Sequence, residues 1–348
     1  MPSSAATFDR FGSIAGDQQL ATVLSLQGFG LELAGTNLLD DVTFSLRRGE
    51  VLGLVGESGS GKTLTGLSIL GLAPPGSKLR GSIRFKGREL VGASSDTVRS
   101  LRGSQLAMIF QEPRSSLNPA ISIGRQIVDV IRVHDRGMSR QDARSRAVEL
   151  LGQVGIPNPR ALFGAYPHEL SGGMCQRAMI AMALSGEPEV LVADEPTTAL
   201  DVTVQAQIVK LLRSIADERA LAVLLISHNL AVVGTVCDRV ATMYCGQVVN
   251  VDSVTDALTS PSHPYTMALV LAALRASLSS SGAGHEASNE LTGMPANPAA
   301  PPNGCRYWPR CPYAQDRCSD TVPDLTVFAD GRSTRCLRHA ELSLRIPT

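Results

Sequence analysis

The chain has 348 residues, of which 43% are hydrophobic, which is enough for about two domains with sizeable cores. The formal net charge is zero, which argues against bulk electrostatic attraction to nucleic acid or to an anionic membrane. The sequence has no apolar run near the roughly 20 residues of a membrane-spanning helix and no apolar signal-peptide core. We therefore expect a cytosolic protein that reaches a membrane only through partners.

The first predicted elements are β-strands. Residues 1–20 are polar and rich in small side chains, which predicts a loose tail. Residues 23–46 alternate short β-like runs with polar turns and predict an antiparallel β region. Residues 50–55 form an apolar strand that ends at a glycine-rich turn, and a helix is predicted over residues 62–72.

Farther along the chain, apolar strands alternate with helices, which predicts a parallel sheet flanked by helices. The strand candidates are 106–110, 190–193 and 221–226. The helix candidates are 123–133, 140–154, 171–184, 202–216 and 230–236. Residues 278–303 are rich in Ser, Gly, Ala and Pro and predict a linker.

A glycine-rich segment between the first apolar strand and its helix has the pattern G-x-x-x-x-G-K-[ST]. Its residues are Gly56, Glu57, Ser58, Gly59, Ser60, Gly61, Lys62 and Thr63. Small residues let backbone N–H groups surround phosphate oxygens at a helix N-terminus. Lys62 reaches the β- and γ-phosphates and the Thr63 hydroxyl holds Mg²⁺, which predicts ATP as the ligand. The alternative, a flexible loop before a helix, is disfavoured by the strand–loop–helix context.

Two adjacent carboxylates, Asp194 and Glu195, follow the apolar strand 190–193. Ligands of parallel sheets bind at the carboxyl ends of the strands, which places this pair beside the phosphate loop. Asp194 is expected to bind Mg²⁺, and Glu195 to orient or deprotonate the attacking water. The alternative is a simple acidic turn.

Further motifs resemble those of ATP-binding-cassette (ABC) ATPases and occur in the order that this family has. The resemblance covers about residues 22–275. Ser171, Gly172 and Gly173 resemble the signature motif, which in the family contacts the nucleotide of a second subunit. Gln111 resembles the glutamine that senses Mg²⁺ and links to the membrane subunit. Asp201 ends a segment like the D-loop, and His228 resembles the histidine that contacts the γ-phosphate.

The chain departs from the family at the position expected to stack on adenine. The family has an aromatic residue on an early strand, whereas the aligned position, about Leu33, is not aromatic. Phe29 is the nearby aromatic alternative.

Two segments resemble the ATPases of oligopeptide, dipeptide and nickel importers: the loop from Gln111 to Pro119, and the tail from His263 onward. The resemblance implies two membrane permease subunits and a second ATPase subunit, identical or different. It also implies an indirect link to a solute-binding protein and a peripheral location on the cytoplasmic face of the inner membrane. No nucleic-acid partner is expected.

Four cysteines cluster near the C-terminus. They are Cys305, Cys311, Cys318 and Cys336. Their number matches the ligands of a [4Fe–4S] cluster, which some members of this branch carry, and they lack the C-x₂-C pairs typical of zinc sites. The residues alone leave three interpretations open: an iron–sulfur cluster, zinc, or free thiols.

We therefore expect an α/β fold with a P-loop NTPase core and parallel sheet, an antiparallel β subdomain, a helical subdomain and a cysteine-containing extension. The ranges are 21–262 for the ATPase domain, about 112–186 for the helical subdomain, and 263–348 for the extension. The expected function is ATP hydrolysis that powers import of peptides or peptide-like solutes. The alternatives are an exporter ATPase, a non-transport ABC ATPase, and a scaffold that binds ATP without hydrolysis.

Overall fold

A computed structural model describes residues 21–198, 200–279, 294 and 296–346. The predicted N-terminal tail, Ala199 and most of the predicted linker lie outside these residues.

The strands belong to two sheets. In chain order they are β1 (Thr22–Leu33), β2 (Thr36–Arg47), β3 (Val51–Val55), β4 (Lys78–Phe85), β5 (Arg88–Glu89), β6 (Leu106–Ile109), β7 (Val190–Asp194), β8 (Ala222–Ser227), β9 (Arg239–Tyr244), β10 (Gln247–Ser253), β11 (Thr326–Val327) and β12 (Ser333–Thr334).

The helices fall mostly between the strands of the larger sheet and after it. In chain order they are α1 (Lys62–Ile69), α2 (Ser95–Leu101), α3 (Pro113–Ser116), α4 (Ile123–His134), α5 (Arg140–Gln153), α6 (Pro159–Leu162), α7 (Gly172–Leu184), α8 (Val202–Arg219), α9 (Leu230–Val236), α10 (Val254–Thr259), α11 (Pro264–Ser279) and α12 (Asp316–Asp320).

The smaller sheet has the order β2-β1-β4-β5, and its strands are antiparallel, as predicted. The turn between β1 and β2 contains Ala34 and Gly35, with φ of 49° and 81°. Positive φ at both central residues is typical of the tight turns that match the twist of a hairpin. The inward side chains of this sheet, such as Leu26 and Phe44, are buried in a core shared with α1 and the larger sheet.

The larger sheet has the order β11-β12-β10-β9-β3-β8-β7-β6. Strands β9, β3, β8, β7 and β6 are parallel, which confirms the predicted parallel core. Strands β3, β7 and β8 are buried along their whole length, as expected for a sheet covered on both faces. The sheet as a whole is mixed, because Cys245 and Gly246 form a tight turn with φ of 48° and 79° and return β10 antiparallel to β9.

Helices α4, α5 and α7 lie between β6 and β7 in chain order. They pack against one another, as the sequence predicts for a helical part. Predicted and observed helix ends differ by a few residues. The first helix ends at Ile69 rather than at residue 72, because Gly71 takes a left-handed conformation with φ of 63°. Helix α8 runs on to Arg219 and stops where Ala220 is left-handed, with φ of 49°.

The C-terminal segment joins the larger sheet through β12, which pairs with β10. Its Arg335 is 3% exposed. The guanidinium of Arg335 donates hydrogen bonds to the carbonyl oxygens of Val248, Pro323 and Asp41 and pairs with the Asp41 carboxylate at 2.6 Å. This one side chain therefore ties the C-terminal segment to two strands of the preceding fold.

Among the described helices, none combines the length and the apolar character needed to cross a lipid bilayer.

We predict that Arg335→Met lowers the free energy of unfolding by about 2 kcal/mol, because several buried acceptors lose their charged donor. Urea denaturation followed by circular dichroism measures the loss. The matched control is Arg317→Met, which removes an exposed ion pair with Glu341 and should change stability by less than about 0.5 kcal/mol. Equal effects of the two variants would contradict the assigned role of Arg335.

Candidate nucleotide site

The carboxyl ends of β3, β8 and β7 meet at one edge of the larger sheet. Val55 pairs with Ser227, and Ile226 pairs with Asp194, so the three strands end level with one another. A cavity of about 620 Å³ opens at this edge. It is lined by Leu38, Ser58, Gly59, Gly61, Lys62, Thr63, Leu64, Gln111, Glu195, His228 and Pro298.

The phosphate loop forms one wall of the cavity, with Gly56, Glu57 and Ser60 behind the lining residues. At Gly56 a Cβ atom would lie 2.1 Å from the carbonyl oxygen of Met243, so only glycine allows the loop to approach β9 this closely. Lys62 Nζ donates hydrogen bonds to the carbonyl oxygens of Gly56 at 2.8 Å and Glu57 at 2.9 Å. Burial lowers the pKa of Lys62, although the nearby Glu195 and Asp194 favour its charged form.

Thr63 and Asp194 are paired across the cavity floor. The Thr63 hydroxyl donates to Oδ1 of Asp194 at 3.1 Å, and Asp194 is only 3% exposed. Burial raises the pKa of Asp194. A hydroxyl and a carboxylate side by side are the oxygen ligands that Mg²⁺ prefers, so these residues fit that ion.

Glu195 has three side-chain partners around the cavity. Gln111 Nε2 donates to Oε2 at 3.2 Å, and the Thr198 hydroxyl donates to the same oxygen at 2.9 Å. Nδ1 of His228 lies 3.1 Å from Oε1. Burial acts to raise the pKa of Glu195, but the hydrogen bonds with His228 and Thr198 outweigh it and hold the pKa below its ordinary value. The backbone of Glu195 is left-handed, with φ of 45°, a conformation uncommon outside glycine and typical of functional positions.

The signature residues and Asp201 do not line this cavity. Ser171 begins α7, where its hydroxyl accepts a hydrogen bond from the Met174 N–H at 3.3 Å. Asp201 begins α8 in the same way and accepts from the Val204 N–H at 2.9 Å. The two helix starts lie against each other, since a Cβ at Gly173 would approach Val204 to 2.9 Å. Gly172 lies beside them at the start of α7.

The structure corrects the expectation for the adenine side of the cavity. Phe29 has no exposed surface, because it points into the core of the smaller sheet, so it is unavailable for stacking. Leu33 packs against the same core. The apolar lining of the cavity comes from Leu38, from Leu64 and from Pro298, which lies in the predicted linker. No motif marks Leu38 or Pro298, because both reach the cavity only through the tertiary fold.

The four clustered cysteines line a separate small cavity of about 20 Å³, together with residues such as His263 and Trp308. This volume has room for about one water molecule. Burial raises the pKa of the Cys305 and Cys311 thiols to about 11, which favours the neutral form.

In the part of the chain that the structure describes, no group of three or more His, Cys, Asp or Glu side chains could hold a metal ion. The iron–sulfur expectation therefore has no support here, and neither has zinc.

Two family models match the chain. The model described as "ABC transporter" matches residues 39–198, and "Oligopeptide/dipeptide transporter, C-terminal region" matches residues 249–318. The dipeptide transport ATP-binding protein DppD of Escherichia coli (strain K12) is 45% identical over 309 residues, which is 88% of this chain and 93% of that protein. The oligopeptide transport ATP-binding protein AppD of Bacillus subtilis (strain 168) is 44% identical over 305 residues, or 87% and 91% of the two chains.

Solved structures show the same fold. A dimeric structure of the ATP-binding cassette MJ0796 in a post-hydrolysis state, bound to ADP and Pi, has a TM-score of 0.60 at 25% identity and covers 66% of this chain and 98% of that one. CbiO1 from Clostridium perfringens, part of the ABC transporter complex cbiONQ, has a TM-score of 0.60 at 27% identity and covers 68% and 90%. The chain therefore belongs to the ABC transporter family, as an ATP-binding protein of its oligopeptide/dipeptide transporter branch.

Proposed function

We propose that this chain hydrolyses ATP to power the import of peptides or peptide-like solutes across the cytoplasmic membrane. The observation that carries the proposal is the placement of Glu195 between Gln111, Thr198 and His228, on the same cavity as the phosphate loop. The peptide class is supported by the matching C-terminal region and by the names of DppD and AppD.

The phosphate loop binds the triphosphate. Its backbone N–H groups and the N-terminus of α1 provide positive potential for the phosphate oxygens. Lys62 now donates to two loop carbonyls and exchanges them for β- and γ-phosphate oxygens when the nucleotide enters. Leu38 and Pro298 offer apolar contact to the adenine ring.

Thr63, Asp194 and Gln111 are the residues that would hold Mg²⁺. When bound, the ion neutralises charge that builds up on the β- and γ-phosphates. Burial raises the pKa of Asp194 and so disfavours its ionised form. A cation next to this carboxyl would favour the ionised form.

Glu195 acts on the attacking water. Its lowered pKa keeps the carboxylate ionised, so that it orients the water and accepts its proton as the oxygen bonds to the γ-phosphorus. The bond from that phosphorus to the bridging oxygen breaks, and ADP leaves with the electron pair. His228, which is 62% exposed on the cavity side, donates to the γ-phosphate and steadies the transition state.

A second ATPase subunit, identical or different, completes the site. Ser171, Gly172 and Gly173 act on the partner's nucleotide across the interface, together with Asp201. Ser171 and Asp201 are exposed, which supports this arrangement, as does the neighbouring Val202, an apolar side chain that is 81% exposed.

Two membrane permease subunits receive the energy of hydrolysis, and a solute-binding protein supplies the solute to them. The segment from Gln111 to Pro119 is the proposed contact, because it leads from the cavity to the helical part. Phe110, which directly precedes this segment, supports a docking role there because it is 41% exposed. The chain then works at the cytoplasmic face of the membrane without crossing it.

We predict that Glu195→Gln lowers ATP turnover by at least about a hundredfold, because the proton acceptor is lost while the shape of the side chain is kept. The variant should still bind ATP and accumulate as an ATP-bound dimer, visible by size-exclusion chromatography with ATP and Mg²⁺. The control Glu218→Gln changes an exposed glutamate on α8 and should leave turnover unchanged. Normal turnover in Glu195→Gln would show that the base is assigned wrongly.

We predict that Thr198→Val moves the acidic limb of the pH profile of ATP turnover to higher pH. The Thr198 hydroxyl stabilises the ionised Glu195, so its removal raises the pKa of that carboxyl, and protonation then stops turnover at a higher pH. The control Thr235→Val, on α9, removes a hydroxyl that donates to a helix carbonyl and should leave the limb in place. A limb that stays or moves to lower pH contradicts the account.

We predict ATP-driven movement of a labelled dipeptide toward the side that carries this subunit, in proteoliposomes with the permeases and the solute-binding protein. Gln111→Ala should lower transport more than it lowers ATP binding, because Gln111 lies between the cavity and the proposed contact. Movement in the opposite direction would establish an exporter. Undiminished transport by the variant would remove Gln111 from the coupling route.

A further inference from the structure

We propose that Arg310 and Tyr265 are positioning residues for ATP hydrolysis, which fix the backbone of the phosphate loop through Glu57. Neither residue lines the nucleotide cavity, and neither belongs to a motif of the nucleotide site. Both contact Glu57, the second residue of the loop, from outside the nucleotide cavity.

All three polar groups of Glu57 are held. Arg310 donates two hydrogen bonds to its carboxylate, from Nη1 to Oε2 at 2.7 Å and from Nη2 to Oε1 at 2.9 Å. The Tyr265 hydroxyl accepts from the Glu57 N–H at 2.9 Å. The Glu57 carbonyl accepts from Lys62 Nζ at 2.9 Å. The carboxylate and the N–H of Glu57 are thus both held by residues outside the loop.

The ion pair is withdrawn from solvent. The side chain of Arg310 is 6% exposed and that of Glu57 is 18% exposed. A two-pronged arginine–carboxylate contact of this kind fixes direction as well as distance, unlike a mobile surface pair.

Arg310 and Tyr265 are themselves held by an aromatic cluster. Tyr244, Tyr265 and Tyr307 pack with ring centroids 4.6 Å, 5.1 Å and 5.3 Å apart in pairs, and Tyr265 has no exposed surface. The Arg310 guanidinium lies 5.8 Å from the centre of the Tyr244 ring. Rotation of Arg310 or Tyr265 away from the loop is therefore opposed by close packing.

A second contact from the same C-terminal segment reaches the other end of the loop. Arg306 is buried and pairs with Asp40 and with the carbonyl of Cys245. It thereby holds the turn between β9 and β10, whose Gly246 N–H donates to the Ser60 carbonyl at 2.9 Å. The loop is supported at Glu57 and at Ser60, on either side of Ser58 and Gly59, which line the cavity.

The physical consequence is preorganisation of the loop. Without the Arg310 contact, Glu57 and the loop backbone next to it move more freely, and nucleotide binding must then order them. The cost falls on binding, so the expected effect is on the KM for ATP and on the Kd for Mg²⁺-ADP, with a smaller effect on kcat.

The test uses the purified full chain, with steady-state ATP hydrolysis and calorimetric titration with Mg²⁺-ADP. Arg310→Ala should raise KM and Kd about tenfold, the size expected for loss of a charge-assisted contact, and change kcat by less than about threefold. Arg310→Lys, which keeps the charge, should recover part of the loss. Tyr265→Phe removes the hydroxyl that accepts from the Glu57 N–H and that also lies 3.5 Å from Oε2 of Glu57, and it should raise KM in the same direction.

Two comparisons separate positioning from simple attachment of the C-terminal segment. Arg335→Met loosens that segment without touching the loop, so its KM should equal that of the wild type. In the background of Glu57→Gln, Arg310→Ala should add little to KM, since the partner carboxylate is already gone.

An equal rise in KM for Arg335→Met and Arg310→Ala overturns the proposal. It is also overturned if the KM increases of Arg310→Ala and Glu57→Gln multiply in the double variant, because the two residues then act independently. If circular dichroism shows that Arg310→Ala does not fold, Arg310→Lys and Tyr265→Phe decide. If both Arg310→Lys and Tyr265→Phe have the KM and Kd of the wild type, the proposal is overturned.

Discussion

Strands β3, β8 and β7 lie side by side and end level, with Val55 opposite Ser227 and Ile226 opposite Asp194. Because parallel strands end at one edge, the chain segments that leave them converge there. The phosphate loop, the acidic pair and His228 come from three distant parts of the sequence and meet on one cavity for this reason. A slip of β7 by one residue would move the Asp194 side chain to the other face of the sheet and away from Thr63.

The two neighbouring carboxylates differ in electrostatics although they are adjacent in sequence. Asp194 ends a buried strand, and burial raises its pKa. Glu195 leaves the strand through a left-handed backbone, and its hydrogen bonds with His228 and Thr198 lower its pKa despite burial. The difference keeps Glu195 ionised, whereas a neighbouring cation would favour the ionised form of Asp194, and it follows from the point at which β7 ends.

The parts of the site that are written in consecutive residues could be predicted from the sequence. The phosphate loop needs its glycines and Lys62 at fixed spacing, and the apolar strands need no polar outer face, so both leave patterns. Helix ends were less predictable, because the end of α1 depends on one left-handed glycine, Gly71. Strands β11 and β12 have two residues each, which is too short for any periodic pattern.

Contacts between distant residues leave no pattern in one sequence. Arg310 and Glu57 are 253 positions apart. Pro298 reaches the cavity from a segment whose composition predicts only a linker. The four cysteines line one small cavity in the fold, and the expectation of a metal site there has no support among the described residues. Each of Arg306, Arg310 and Arg335 adjoins one of these cysteines in the sequence, and all three contact the preceding ATP-binding fold.

The central claim is that this cavity binds the triphosphate through Lys62 and turns it over. The most direct measurement is the rate of phosphate release from ATP by purified Lys62→Ala, compared with the wild-type chain under saturating Mg²⁺-ATP. We expect loss of nearly all turnover, about a hundredfold or more, because the phosphates lose the cation that the loop presents to them. Full turnover in the variant would contradict the account.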